Sequence, residues 1–429
     1  MGVSARNAKL DWHPAGLEGR IARGAVAIAL PRAVGIGLSF ALTILMARWL
    51  GVSAFGTYTY LVSWMAILTA VGGSGIDALV VRDLPSHRVH GAWGLLRGQI
   101  HWGGALTVIG TSALAAIWVA SGSGVILAAV LAPLTALLRF QQATLRGLQR
   151  LAISQVPEAV VRPAVMLLAV AVLFGARLGT ATVSLALSVH LIAVVGAIAA
   201  AFAWSGRAIP PAASLATPTY DTRQWLPSAL RLGILSVAVA IDGRIGLLLL
   251  GRYVGSEAVG AYAAAQRGAG LVPMAFDMML LAMAPTLAEL HAAGDRDALQ
   301  RAVRRISQAG TVVAVPVACF LAGPWFLRLF GSGFATARAA LTVLSAGQVF
   351  SVAAGPVATL LMVTKHERDA VAAVAGSTVV HVALGVILIP RWGMVGAAAA
   401  GAMSLVGWNS VLLWRVWKRL TISPTLFTF

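Results

Sequence analysis

Eight ionisable residues stand inside otherwise apolar stretches of this chain: Arg32, Arg162, Arg244 and Arg267, together with Asp77, Glu158, Asp242 and Asp277. In lipid each such charge costs about 2.5–3.5 kcal/mol to insert, so each needs a partner, a wet cavity or a function. Glu158 and Arg162 are four residues apart, on one helix face and in the favourable order, which predicts a structural ion pair within one helix. Asp242 and Arg244 are two apart and point to nearly opposite sides of a regular helix, so they cannot satisfy each other. Asp242 is placed either to bind a coupling Na+ or proton, or to bridge to a neighbouring helix. Arg32 lies about eight residues into its apolar run, and Arg267 about ten, or ~15 Å along a helix and near mid-membrane. His101, His190 and His381 lie in separate apolar runs without ligand spacing, which favours interhelical contacts over a metal site. Cys319 is the single cysteine, so an intrachain disulfide and a thiolate metal site are both excluded.

The elements that must position these groups follow from composition. Of 429 residues, 59% are hydrophobic and only 11% charged, with a mean hydropathy of +0.86, outside the range of soluble globular proteins. A membrane span requires roughly 20 apolar residues whose backbone groups pair internally. The alternation expected of a transmembrane barrel is missing, and abundant Ala and Gly suit closely packed helices, so the expected fold class is all-α and polytopic. Twelve spans are expected, at 24–50, 55–81, 98–120, 124–146, 151–174 and 179–204, then 225–250, 256–288, 306–330, 334–362, 369–390 and 393–416. The polar break "SGRAIPPAASLATPTYDTRQ" reads as a linker between two lobes. The expected organisation is an N-terminal segment over 1–23, an N-lobe over 24–204, a linker over 205–224, a C-lobe over 225–417 and a tail over 418–429.

An internal repeat supports that division. "ARWLGVSAFGTY" from Ala47 and "GRYVGSEAVGAY" from Gly251 align without gaps at an offset of 204 residues, matching Arg48, Gly51, Ala54, Gly56 and Tyr58 to Arg252, Gly255, Ala258, Gly260 and Tyr262. Six spans separate the copies, an even number, so the repeat is parallel with a pseudo-twofold along the membrane normal and a central cavity between the lobes. The same offset puts Leu38 and Phe40 opposite Asp242 and Arg244, and Ser63 opposite Arg267, so the cavity is expected to be chemically lopsided.

The formal charge of +18 is spread through short gaps between apolar runs rather than gathered into one basic domain, which argues against nucleic acid as a partner. Of the 28 basic residues outside the four intramembrane arginines, only Arg48, Arg177, Arg252, Arg328, Arg338 and Arg391 fall on the side of the repeated turns, and 22 fall on the other. By the positive-inside rule both termini are expected in the cytoplasm.

Several longer stretches carry a resemblance. "ARWLGVSAFGTYTYLVSWMAILTAVGGSGIDALVVRDL" resembles the first hairpin of bacterial polysaccharide and O-antigen flippases, with a Gly-x-x-x-x-Gly-x-Tyr turn and a Val-Arg-Asp exit. "AIDGRIGLLLLGRYVGSEAVGAYAAAQR" looks like their seventh and eighth spans, and "VILIPRWGMVGAAAAGAMS" is similar to their eleventh-to-twelfth connection. The resemblance implies membership of the multidrug, oligosaccharidyl-lipid and polysaccharide exporter superfamily, with two six-helix bundles rocking around a cavity lined chiefly by spans one, two, seven and eight. It implies a transporter and not an enzyme, set in the bacterial inner membrane. The cargo it implies is an undecaprenyl-pyrophosphate-linked oligosaccharide, such as an O-antigen or exopolysaccharide repeat unit, and glycan polymerase and assembly proteins would be its partners alongside membrane lipids.

Arg32 and Arg267, with Arg244 nearer the outer face, would then receive the pyrophosphate, because a guanidinium keeps its proton and offers charge-assisted, bidentate hydrogen bonds. Movement of an anion out of a negative interior gains roughly 2.3 kcal/mol per charge per 100 mV of full field. The sequence has no P-loop, so no nucleotide cofactor is expected and any active driving would come from a gradient, with Na+ or H+ as the candidate coupling ion, or from downstream consumption of the cargo. Rival readings are a drug or cation antiporter of the same superfamily, a peptidoglycan-precursor flippase, and a membrane glycan polymerase or ligase. The last would need an extramembrane acceptor cleft, whereas the connections on the side of the repeated turns are short.

Overall fold

At each of the two repeated turns the chain reverses direction at a glycine. The structure is a computed structural model that describes residues 14–420 apart from 74, 123, 177–179 and 365. Residues 1–13 of the expected N-terminal segment, 421–429 of the expected tail, and Arg177 and Lys365 lie outside the described residues. The first two spans are one helix, α1 (Pro14–Gly73), broken only at Gly51 with φ 73° and ψ 169°. Its repeat partner Gly255 has φ 120° and ψ 177°. Both fall in a backbone region essentially reserved for glycine.

Beyond α1 the second span continues as α2 (Ile76–Val89), and α3 (Trp93–Ala120) and α4 (Ile126–Gly147) form the third and fourth. The fifth is α5 (Leu151–Val156), a π-helical turn (Pro157–Val161) and α6 (Arg162–Gly175). The sixth is α7 (Val183–Ala208), after which comes the short α8 (Pro211–Leu215). The seventh is split into α9 (Thr222–Asp242) and α10 (Ile245–Tyr253), and the eighth is a pair, α11 (Ser256–Ala269) and α12 (Met274–Ala292), bent by 47°. The ninth is α13 (Arg296–Leu321) with α14 (Pro324–Arg328), the tenth α15 (Arg338–Ala354) with α16 (Val357–Val363), and α17 (Glu367–Leu420) supplies the last two with a break at Gly393, φ 53°. Among the described residues there is no strand.

Among the described residues eight helices are long and apolar enough to cross a membrane by themselves. Dividing α1 and α17 at their glycines makes ten, the bent α11–α12 pair is the eleventh, and the 26-residue α13 is the twelfth. Mean hydropathy falls short in α13 because Arg301, Arg304 and Arg305 occupy its opening turns. The fold is thus twelve helices in two six-helix bundles around a central cavity.

Two local devices brace the first bundle and the linker that leaves it. Asp83, of the Val-Arg-Asp sequence, accepts from Arg82 Nε at 2.6 Å and from the fully buried Gln99 Nε2 at 3.1 Å, tying α2 to α3. The hydrogen bond to Asp83 holds the exposed Arg82 guanidinium above its already high ordinary value. The linker is strapped to the first bundle: Arg97 Nη1 donates to the carbonyls of Ser214 and Ala216 at 2.6 and 2.8 Å, and Thr219 N donates to Gly94 O at 2.9 Å. Gly94 and Gly98 let the strap lie directly on α3, since a Cβ at Gly98 would collide with the Thr219 carbonyl.

Candidate functional site

The cleft between the bundles is closed at one end by the repeated turns themselves. A Cβ on Gly56 would strike the Ser256 carbonyl, and one on Gly260 would strike the carbonyl of Val52. At the 204-residue offset Val52 corresponds to Ser256 and Gly56 to Gly260, so the two collisions are the same contact seen from each side, as a twofold requires. Glycine at these positions lets α1 and α11 pack backbone to backbone. Ser53 Oγ and Ser256 Oγ lie 3.0 Å apart across this seam, and Arg48 Nε donates to Leu329 O at 2.7 Å. Phe55 and Phe334, with ring centroids 5.9 Å apart, cover it.

Away from that seam the walls diverge. After the 47° bend, α12 leaves α1 and packs on α13 and α16. The second and seventh spans remain together, with Gly75 lying against the backbone of Ala229 and Gly233. The cleft is therefore bounded by α1, α2, α9 and α11, and widens between the first part of α1 and α12.

Between the bundles the fold brings arginines from both halves within electrostatic reach of one another. Arg267, in the last turns of α11, is exposed although its neighbours Gly268 and Ala269 are buried, and it lies within electrostatic reach of Arg162 and of Tyr58. Arg244 sits at the joint between α9 and α10 and feels Arg267, Arg139 and Arg162. Among the described residues, no carboxylate lies within 4 Å of Arg139, Arg244 or Arg267. Arg162 Nη2 lies 3.7 Å from Glu158 Oε1, across a π-helical turn rather than an α-helical one. Arg32 is exposed near the wide end, opposite Asp277, which is close enough to interact through space but forms no ion pair with it. Asp77 lines the first-bundle wall within the fields of Arg139, Arg146 and Glu158, and its Oδ1 is buried without a hydrogen-bond partner. Three or more guanidiniums sharing one cleft repel one another and are poorly solvated by protein, which makes the site receptive to a multiply charged oxyanion.

Asp242 turns away from Arg244 and meets the seventh span's neighbour instead: its Oδ1 is 2.9 Å from His381 Nδ1. The imidazole is nearly buried, and its Nε2 has no hydrogen-bond partner. His190 is likewise an interhelical partner, with Nδ1 3.0 Å from Tyr58 Oη.

Sequence reasoning missed Arg139 as part of this site, treating it as a topology charge. It stands 13 residues into α4, or ~20 Å from the helix start, which was the available signal. It also missed His381 as the partner of Asp242, because residues 139 positions apart carry no spacing signal.

The comparisons with known proteins agree on the architecture. The family described as polysaccharide biosynthesis protein matches residues 21–291, and the MatE family matches residues 234–387. No curated protein matches the sequence. Among solved structures, the inward-facing conformation of a multidrug resistance MATE family transporter of the MOP superfamily covers 92% of this chain and 98% of its own, with a TM-score of 0.72 at 13% identity. The lipid II flippase MurJ in an inward closed conformation covers 91% and 86%, with a TM-score of 0.67 at 12% identity. A MOP superfamily transporter from Pyrococcus furiosus Vc1, described by a reverse polarity of its binding pocket, covers 92% and 95%, with a TM-score of 0.64 at 15% identity. At such identities the likeness to these structures shows the fold.

Proposed function

Because the chain belongs to the polysaccharide biosynthesis protein family, we propose that it is a flippase carrying a polyprenyl-pyrophosphate-linked oligosaccharide from the cytoplasmic to the outer leaflet of a bacterial inner membrane by alternating access. The observation that supports this reading is that Arg139, Arg244 and Arg267, drawn from both bundles and without carboxylate partners within 4 Å among the described residues, belong to one mutually repelling set. Arg267 and Arg244 receive the pyrophosphate, Arg139 and Arg162 extend the positive wall, and Arg32 stands nearer the wide end, where a headgroup enters. Both termini are cytoplasmic in this reading, and the seam of repeated turns is the outer gate in its closed position.

Binding then has a direct physical consequence. An oxyanion between the bundles removes the mutual repulsion of guanidiniums that belong to different bundles, which lowers the cost of bringing the walls together around it. The Asp242–His381 pair lies two residues from Arg244, so gain or loss of a proton or Na+ there changes the field at the cargo site and supplies a route to ion coupling. A drug or cation antiporter would place carboxylates, rather than arginines, at this position. The peptidoglycan-precursor reading shares the pyrophosphate chemistry and differs in the sugar.

The test is reconstitution into proteoliposomes with a labelled pyrophosphate-linked oligosaccharide initially confined to one leaflet. Protein-dependent appearance in the other leaflet, competed by undecaprenyl pyrophosphate and not by a monophosphate, is expected. Export of a cationic dye with no lipid movement would replace this reading with the antiporter. Movement of a lipid-linked peptidoglycan precursor alone would narrow the cargo to that class.

A further inference from the structure

A second basic site, with no residue in common with the cleft, lies at the face opposite the repeated turns, where α17 begins and ends. Asp369, in the first turn of α17, accepts from Arg415 Nη1 at 3.0 Å, and its other oxygen lies 2.6 Å from Arg419 Nε. Lys418 falls between them on the same helix face, with its Nζ 5.1 Å from the centre of the Trp414 ring, which also underlies Arg415 at 5.3 Å. Arg415, Lys418 and Arg419 join His366 in lining a cavity of about 410 Å³. Among the described residues this cluster sets three permanent cations against a single carboxylate, and no carboxylate reaches Lys418. The negative end of the helix dipole accounts for basic residues in a last turn, but not for their convergence on a cavity.

The surroundings indicate what the cavity faces. Trp414 and Trp417 are 50% and 61% exposed, and exposed tryptophans at the end of a span mark the headgroup layer. The helix packs against α9, α10, α11, α15 and α16, all from the second bundle, and none of the cluster's side chains is an ion-pair partner of the cleft residues Arg244, Arg267 or Asp242 among the described residues. We propose that the cavity is a binding site for the phosphodiester headgroup of an anionic phospholipid in that leaflet. Its two non-bridging oxygens accept from Lys418 Nζ and the guanidinium N–H groups that Asp369 leaves free, while the acyl chains run down past Trp414.

The experiment is native mass spectrometry of the full-length protein released from nanodiscs of equal phosphatidylglycerol and phosphatidylethanolamine. The wild-type protein should retain phosphatidylglycerol in preference by about fivefold, the effect of one basic residue at a membrane surface. Lys418→Gln, which disturbs no ion pair, should abolish the preference, while Arg301→Gln on α13, an equal change of charge elsewhere, should leave it intact. An equal loss in both variants would show a diffuse charge effect and overturn the proposal. So would a preference that appears only after removal of residues 421–429, because the chain's own end would then be the occupant. Ordinary phospholipids are the only probe, so the result does not depend on the cargo.

Discussion

The two halves of the molecule share a scaffold and divide the chemistry unequally. At the 204-residue offset Leu38 and Phe40 match Asp242 and Arg244, and Ser63 matches Arg267. In the first half α1 runs as regular helix through all three positions, and Ser63 is fully buried, its hydroxyl returned to Thr59 O at 2.8 Å. In the second half the chain is interrupted beside each charge, at Gly243–Arg244 in the seventh span and by the 47° bend just after Arg267 in the eighth. Tyr58 and Tyr262 diverge in the same way: one meets His190 Nδ1 at 3.0 Å, the other donates to Ala397 O at 3.5 Å. The lesson is that seams between the halves preserve symmetry because backbone contact demands it, whereas charges concentrate where a helix is broken and polar groups can be accommodated.

The largest expected effect breaks the symmetric part. Gly260→Val puts a branched side chain into the Val52 carbonyl, and overpacking of ~1–3 kcal/mol should depopulate the closed seam by about 5- to 150-fold. Cross-linking between cysteines placed at Ser53 and Ser256, in a Cys319→Ser background, should be rapid in the parent and lost in this variant. Gly56→Val should behave alike, and a difference between the two would sink the reciprocal contact.

Arg267→Gln tests the lopsided part. Loss of a charge-assisted hydrogen bond worth ~1.5–3 kcal/mol should slow lipid translocation by about ten- to a hundredfold with the fold intact. Adding Ser63→Arg to Arg267→Ser should not restore it, since Ser63 is buried in helix packing; full rescue would mean the cleft is chemically symmetric. A smaller effect is expected from Asp242→Asn, which weakens the bond to His381 by ~0.5–1.5 kcal/mol, or about two- to tenfold in rate. Its sharper signature is loss of the response of transport to an imposed pH or Na+ gradient.

Glu158→Gln should do least. The 3.7 Å pair with Arg162 is partly exposed and worth ~0.2–0.5 kcal/mol, so the melting temperature should move by less than ~2 °C. A loss of several degrees would show that the π-helical turn depends on it.

Much of the architecture was legible in the residues. Apolar run lengths located twelve spans, and the repeat at Gly51 and Gly255 marked the two turns, because only glycine occupies that backbone region. The edges were less legible where polar helix continues past lipid: α13 begins at Arg296, ten residues ahead of the expected 306, since arginines can remain helical in the headgroup layer. The breaks at Gly243 and after Arg267 were hidden because hydropathy measures composition and not curvature. Which arginines share a cleft was only partly legible: Arg244 and Arg267 stood out by depth, but Arg139 did not, and the partners of Asp242 and Tyr58 lie 139 and 132 positions away.

The strap of the linker on α3 limits how far the bundles can part. Its last backbone tie is at Thr219, and the first residue of α9 is Thr222, leaving two residues between them, three Cα steps or about 10 Å of fully extended chain. On that face the second bundle is therefore on a short leash, free to swivel about a point near Asp221 but unable to slide away.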